Sequence, residues 1–325
     1  MTYKESWERK LQERFGANVR LPRDVAIEGE GSAPRVMLLA TALGTNMQTD
    51  AAAFEPWCLA LRLAGAERVT LGWNGSLSPG GQTNRFLHRV THYRALFHAW
   101  FTVAAEQAPQ VRDVLDPSLD DDGRARWVLN TESEPRQEQC GRFALDASEH
   151  ELELAIVNQP ALSRAFRGAF RLRHVARQLP VGVFDRVITT ELAVFTHRKS
   201  AIDLWGLSRD SSRLALFELK NEENVKAGAL SELFFYATLL RQVQKGLARF
   251  SATPDGDGPS YGDIPSTEGI DAFVLAPRAH PILAGDGLSV LATLNTALAA
   301  AGEPIRFGLG VIQRDGIFLP VMPAY

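Results

Sequence analysis

Apolar positions in the first part of the chain switch between helical spacing and short unbroken runs. Residues 3–15 place theirs as a short amphipathic helix does. Residues 35–42 (Arg-Val-Met-Leu-Leu-Ala-Thr-Ala) read as a buried strand, 50–65 as a helix and 67–73 as another strand. Between 84 and 107, Phe86, Val90, Tyr93, Phe97, Trp100 and Phe101 recur at helical spacing, which predicts one long helix; 125–130 reads as a strand. The segment 116–123, rich in Asp with Pro117 and Gly123, and the polar stretch 131–141 with Pro135 read as loops. A domain boundary is therefore expected near 145, with an α+β N-terminal domain over 1–145 and a second domain over 146–325.

Beyond that boundary the pattern sharpens. Residues 148–158 are predicted helical, with Ser148 as N-cap. Strands are expected at 170–176, 186–196, 200–207 and 213–220, and a long helix at about 225–247. A Gly-, Pro-, Asp- and Ser-rich loop at 251–269 precedes a strand at 271–276, a helix at 287–301 and strands at 306–312 and 317–321. The fold class is α/β.

Two of these strands carry chemistry. Residues 201–207 (Ala-Ile-Asp-Leu-Trp-Gly-Leu) and 214–220 (Leu-Ala-Leu-Phe-Glu-Leu-Lys) flank the polar linker Ser208-Arg209-Asp210-Ser211-Ser212-Arg213, so they are expected to form a hairpin. Side chains alternate along a strand, so Glu218 and Lys220 share one face while Phe217 and Leu219 take the other. An antiparallel pairing brings Asp203, near the start of the first strand, level with Glu218, near the end of the second. Two carboxylates beside one ammonium suit phosphodiester hydrolysis. Hard divalent cations prefer carboxylate oxygens, and a lysine can orient the attacking water and offset negative charge in the transition state. Asp203 and Glu218 are the expected Mg²⁺ (or Mn²⁺) ligands, with Lys220 serving the water.

This arrangement resembles the PD-(D/E)xK nuclease superfamily, which includes restriction enzymes and RecB-type nucleases. The resemblance runs over roughly 149–321: Asp203, a spacer forming a hairpin, then Glu218-Leu219-Lys220, with Ile202 where the superfamily name has proline. It implies a restriction-endonuclease-like C-terminal domain, a mixed central sheet flanked by helices. Residues 149–162 are similar to the helix-then-Asn-Pro segment of NucS-like endonucleases, with Gln159 standing where Asn is usual. On that likeness Glu153 is a further catalytic residue and metal ligand, and Glu149, one turn away, is the alternative. Glu232 and Tyr236 resemble the Gln-x-x-x-Tyr pair of RecB-type members, with Glu replacing Gln, and are expected to support the site. Tyr236 reads equally as a core aromatic beside Leu233, Phe234 and Phe235. The resemblance implies a metal-dependent nuclease acting on DNA in restriction, repair or defence. The competing reading is a nucleic-acid-binding protein that keeps the nuclease fold without cutting.

Charge bears on the partner. The 325 residues are 45% hydrophobic and 22% charged, with a formal net charge of -3, so any nucleic-acid contact must be local. Arg164, Arg167, Arg171, Arg173 and Arg177 lie in a stretch without acidic residues and are expected to run past the site as a phosphate track, joined by Lys226 and Arg241. Arg85, Arg89 and His92 share a helix face that extends the same track. His88 and His92 have metal-ligand spacing without a third ligand, and packing or a surface position is the expectation. Leu43-Gly44-Thr45-Asn46 lacks a full glycine fingerprint and reads as an ordinary loop. Two cysteines give no zinc-ligand spacing or disulfide framework, and the N-terminus lacks the apolar stretch of a secretory leader. A cytoplasmic protein without a membrane span is expected, with nucleic acid, DNA first, as partner and a homodimer admitted.

Overall fold

The computed structural model describes residues 1–43, 52–112, 117–130, 141–195, 200–222, 226–252 and 260–323. The loop expected at 131–141, apart from residue 141, together with Cys140 and Gly44–Asn46, lies outside them. The first half contains α1 (Tyr3–Phe15), β1 (Val25–Glu30), β2 (Ala33–Leu39), α2 (Ala40–Leu43), α3 (Glu55–Leu63), β3 (Val69–Asn74), α4 (Gly81–Phe97), β4 (Phe101–Val103), α5 (Ala108–Arg112) and β5 (Trp127–Leu129). The second contains α6 (Glu149–Asn158), α7 (Pro160–Ala169), β6 (Leu172–Pro180), β7 (Val183–Asp185), β8 (Ala201–Ser208), β9 (Arg213–Leu219), α8 (Gly228–Gln244), β10 (Ala248–Phe250), β11 (Gly269–Ala276), α9 (Leu288–Ala300), β12 (Ile305–Ile312) and β13 (Phe318–Val321). The chain is a mixed α/β protein. No helix among the described residues is long and apolar enough to cross a membrane.

The largest sheet runs β13-β12-β11-β9-β8-β6. Strands β6, β8 and β9 pair antiparallel, β9, β11 and β12 pair parallel, and β13 closes one edge antiparallel. Both faces of its centre are buried, and the two-residue alternation shows which helix covers which. Leu214 and Leu216 of β9, with Ile270, Ala272 and Val274 of β11, join α8 and α9 in the larger core. Ala215, Phe217 and Leu219, with Phe273 and Leu275, join Leu152 and Ile156 of α6 and Phe166 of α7 in a smaller core on the other face. A parallel pair needs a crossover, and α8 supplies the one from β9 to β11.

The first half packs on the α8 and α9 side. Its sheet, β1-β2-β3-β4, lies near α3 and α4, which contact α8 and α9. Trp57, Phe86, Tyr93 and Phe101 belong to the same buried cluster as Phe234, Leu291 and Phe307, so apolar residues from both sides of position 145 share one core. Strand β5 reinforces this by sitting between β10 and β7 in a third sheet.

Several boundaries differ from expectation for identifiable reasons. The helix expected over 84–107 ends at Phe97, and Phe101–Val103 instead forms a strand parallel to Val69–Leu71. Trp100 and Phe101 kept helical spacing because they pack on Phe97 and Tyr93, with ring centroids 5.0 and 4.7 Å apart. The strand expected at 186–196 is absent from its described part, 186–195, which carries only an isolated bridge from Ala193 to Phe184; the strand there is Val183–Asp185. Residue 196 lies outside the described residues. Strands β1 and β10 and helix α7 were not foreseen. Helix α7 starts at Pro160, whose fixed φ suits the first helical turn.

Candidate active site

The β8–β9 hairpin builds the centre of the site. Asp210 organises its turn, with Oδ1 accepting from the Ser208 hydroxyl at 2.6 Å and from the Ser212 amide and hydroxyl at 3.1 and 2.9 Å. The register pairs Leu204 with Phe217, so the next positions outward, Asp203 and Glu218, stand level. Asp203 Oδ2 accepts the Leu219 amide at 2.8 Å. Lys220 Nζ donates to Glu218 Oε1 at 2.6 Å. Glu218 and Lys220 are each only 2% exposed, whereas Asp203 stays partly exposed. The ion pair is thus an internal one, and Asp203 is the more exposed of the three.

Two helices complete the group. From α8, Glu232 Oε2 lies 3.6 Å from Lys220 Nζ, and Tyr236 is buried one turn on. From α6, held at its start by a capping box between Ser148 and Glu151, Glu149 Oε2 lies 3.7 Å from Lys220 Nζ and is 28% exposed. Of Glu149 and Glu153, the two candidates on α6, Glu149 is the one that pairs with Lys220. Glu153 is held by β6: its Oε2 accepts from Gln178 Nε2 at 2.7 Å and from Arg177 Nε at 3.4 Å.

Gln178 was not anticipated. It has φ of +55°, a left-handed conformation inside a strand, and the ladder skips it between Arg177–Leu204 and Leu179–Ile202. Such a residue stores of order 1 kcal/mol or more of backbone strain and persists where its surroundings hold it. Here its amide is fixed by a buried carboxylate beside the position facing Asp203. A glutamine within an arginine-rich stretch gave no sequence signal for this.

The electrostatics follow from crowding acids in a dry place. Withdrawal from water, aided by Glu218, holds the Asp203 carboxyl well above its ordinary range; Lys220, on balance, only moderates this. Burial raises Glu153 to about 7, against the opposing pull of Gln178 and Arg177. Burial works to lower Lys220, but Glu218, Glu232, Asp203 and Glu149 outweigh it and keep the ammonium well above its usual value. Lys220 is therefore a fixed positive charge at neutral pH, suited to orienting water and stabilising anions rather than to accepting a proton.

The basic residues divide differently from the expected track. Only Arg177 of the arginine run reaches the site. Arg164, Arg167 and Arg173 gather with Arg209 at the turn end of the hairpin, and Arg171 is exposed beside them. The reason is geometric: Leu172 pairs with Ser208 while Leu179 pairs with Ile202, so β6 carries its two ends to opposite ends of the sheet. Lys226 is exposed at the approach to α8, but Arg241 is engaged by Glu303 at 2.9 Å at that helix's far end. Arg85 and Arg89 do not extend a surface track, because both are buried. Arg89 pairs with Glu55 at 2.9 Å, and the Ser231 hydroxyl of α8 donates to the same carboxylate oxygen at 2.6 Å. Arg85 donates to the Ser200 hydroxyl at 2.6 Å and stacks over Phe235, and burial lowers its guanidinium from the ordinary value against the pull of groups that include Glu232. His88 packs against His92, Trp127, Phe195 and Phe235.

Among the described residues no group of three or more His, Cys, Asp or Glu is arranged to hold a metal ion. A magnesium-type ion asks for less than that, since one or two carboxylates with waters and substrate oxygens satisfy it. Asp203 and Glu218 supply such a pair, and their mutual repulsion is what a divalent cation would relieve. The donor chemistry therefore fits. No protein-family model, curated protein or solved structure matches the chain.

Proposed function

We propose that the chain is a metal-dependent nuclease that hydrolyses phosphodiester bonds, with DNA as the first substrate to test. The observation that carries this reading is the convergence of Asp203, Glu218 and Lys220 from adjacent strands, with Glu149 and Glu232 closing on the same ammonium. The mixed sheet flanked by helices is the setting that the PD-(D/E)xK resemblance implies, and it supports the same reading. In this proposal Asp203 and Glu218 hold Mg²⁺ or Mn²⁺, and Glu153 joins them when deprotonated. The bound ion would lower the pKa of a water and stabilise the leaving oxygen. Lys220 presents a permanent ammonium to the attacking water and to charge growing on the phosphate. Glu232 and Glu149 hold that ammonium in place, Gln178 and Arg177 set the Glu153 carboxylate, and Tyr236 walls the site beside Glu232. Restriction, repair or defence against foreign DNA are the roles we attach to it.

One observation favours the second reading, a nucleic-acid-binding protein that does not cut. Lys220 already neutralises the buried Glu218, so the pair is stable without an ion. Cleavage assays on plasmid, linear duplex and single-stranded DNA, each with Mg²⁺, Mn²⁺ or EDTA, separate the two. The nuclease reading expects metal-dependent cleavage that Asp203→Asn and Lys220→Ala reduce by at least about a hundredfold, typical of losing a charge-stabilising group. Cleavage that persists in EDTA, or in either variant, would sink it.

A further inference from the structure

We infer that the chain carries a second anion site, remote from the carboxylates, which takes phosphate groups of a nucleic-acid backbone. Helix α7, the start of β6 and the β8–β9 turn enclose an open depression of about 440 Å³ lined by Arg164, Arg167, Gly168, Leu172, Arg173 and Arg209. Four of the six lining residues are guanidinium carriers, and among the described residues none of them makes an ion pair. The adjacent carboxylate, Asp210, is turned into its own hairpin turn by Ser208 and Ser212.

The depression is held in shape by its backbone. Arg167 donates through Nε to the Ser163 carbonyl and through Nη1 to the Arg173 carbonyl, both at 3.3 Å. The Arg209 amide donates to the Arg171 carbonyl at 2.9 Å, which ties the hairpin turn to the start of β6. Like charges gathered on three tied elements repel one another, and a polyanion relieves that repulsion while releasing its counterions. Guanidinium groups also match phosphate oxygens in bidentate geometry. Ser208 lies five positions beyond Asp203 along β8, so the depression lies roughly 17 Å along the sheet from the carboxylates. It is an anchor away from the reacting bond. The identity of the phosphate carrier rests on the proposed function; the anion site itself does not.

The test uses the full chain in EDTA, so that binding is read without cleavage. A fluorescein-labelled 20-base-pair duplex is titrated by anisotropy across a salt series, and pyrophosphate is titrated by calorimetry. Arg164→Ala with Arg209→Ala is compared with Arg249→Ala, an exposed arginine on β10. The double variant is expected to weaken duplex binding by roughly tenfold and to lower the salt slope by about two, one per lost phosphate contact. Duplex binding and slope equal to those of Arg249→Ala would overturn the site. Loss of pyrophosphate binding with unchanged duplex binding would overturn the nucleic-acid assignment. Pocket-dependent duplex binding by a wild-type chain that never cleaves would support the anion site while removing the nuclease reading.

Discussion

At the scale of single residues, Lys220 decides whether the site can exist in the folded protein. Its ammonium lies 2.6 Å from Glu218, 3.6 Å from Glu232 and 3.7 Å from Glu149. Breaking a buried pair by removing one partner leaves an uncompensated charge, which costs about 3–5 kcal/mol. Lys220→Ala is therefore expected to lower unfolding stability by roughly that amount, and adding Glu218→Gln should recover part of the loss. Urea denaturation of the two single variants and the double measures this; additive effects would show that the groups are not coupled. Glu153 gives a pH signature with a definite sign. Its carboxyl titrates at about 7 in the folded chain against an ordinary value of 4.5. Between those values the folded state keeps a proton that the unfolded chain releases. The contribution is fully present below the unfolded value and is lost as pH rises towards about 7, by roughly 3 kcal/mol across the window. Glu153→Gln should flatten the stability profile between pH 5 and pH 7, and a profile unchanged from wild type would contradict the buried position of that carboxyl. The same proton competes with a cation, so metal affinity should strengthen as pH rises through about 7.

At the scale of elements, local chemistry decided what could be read from sequence. Helix α6 was legible because Ser148 and Glu151 cap it reciprocally, and α1 because its apolar face repeats over the full length. The β8–β9 hairpin was legible because alternation and a polar turn agree, and that agreement carried Asp203, Glu218 and Lys220 with it. The end of α4 was not, since Trp100 and Phe101 serve the same core from outside the helix. The destination of the arginine run was hidden too, because the pairing of β6 with β8, and not residue spacing, separates Arg173 from Arg177. That pairing has a weak point at Gly206, where an added Cβ would come within 2.3 Å of the His174 carbonyl oxygen. A backbone oxygen cannot turn aside as a side chain can. Gly206→Ala is expected to push β6 from β8 and cost roughly 1–3 kcal/mol, with amide exchange accelerated across Ala176 and Leu204. A variant as stable as the parent would show that the two strands can separate there without penalty. Ser148→Ala, by contrast, should cost about 1 kcal/mol through the lost cap alone and leave the sheet's exchange rates unchanged.

At the scale of the whole molecule, the first half, expected as a separate domain over 1–145, shares a core with the helix that carries part of the site. Helix α8 carries Glu232 and Tyr236 on the side facing β9, while its Ser231 donates to Glu55 of α3, the carboxylate that also holds Arg89 of α4. Phe234 and Phe235 are fully buried, and their partners include Tyr93, His88 and Phe195. Removing residues 1–144 would expose these aromatics and leave β7 and β10 without β5 between them. Fully burying one such side chain is worth about 1.5–3 kcal/mol, and a domain's whole margin is about 5–15 kcal/mol. A fragment of residues 145–325 is therefore expected to lack a cooperative thermal transition and to bind a hydrophobic dye, where the full chain unfolds sharply. Adding back residues 1–144 as a separate polypeptide should restore the transition if docking of α3 and α4 on α8 is what fixes that helix. A fragment that melts cooperatively alone would instead make the first half a separable module, and Glu232 and Tyr236 would then owe their placement to the second half only.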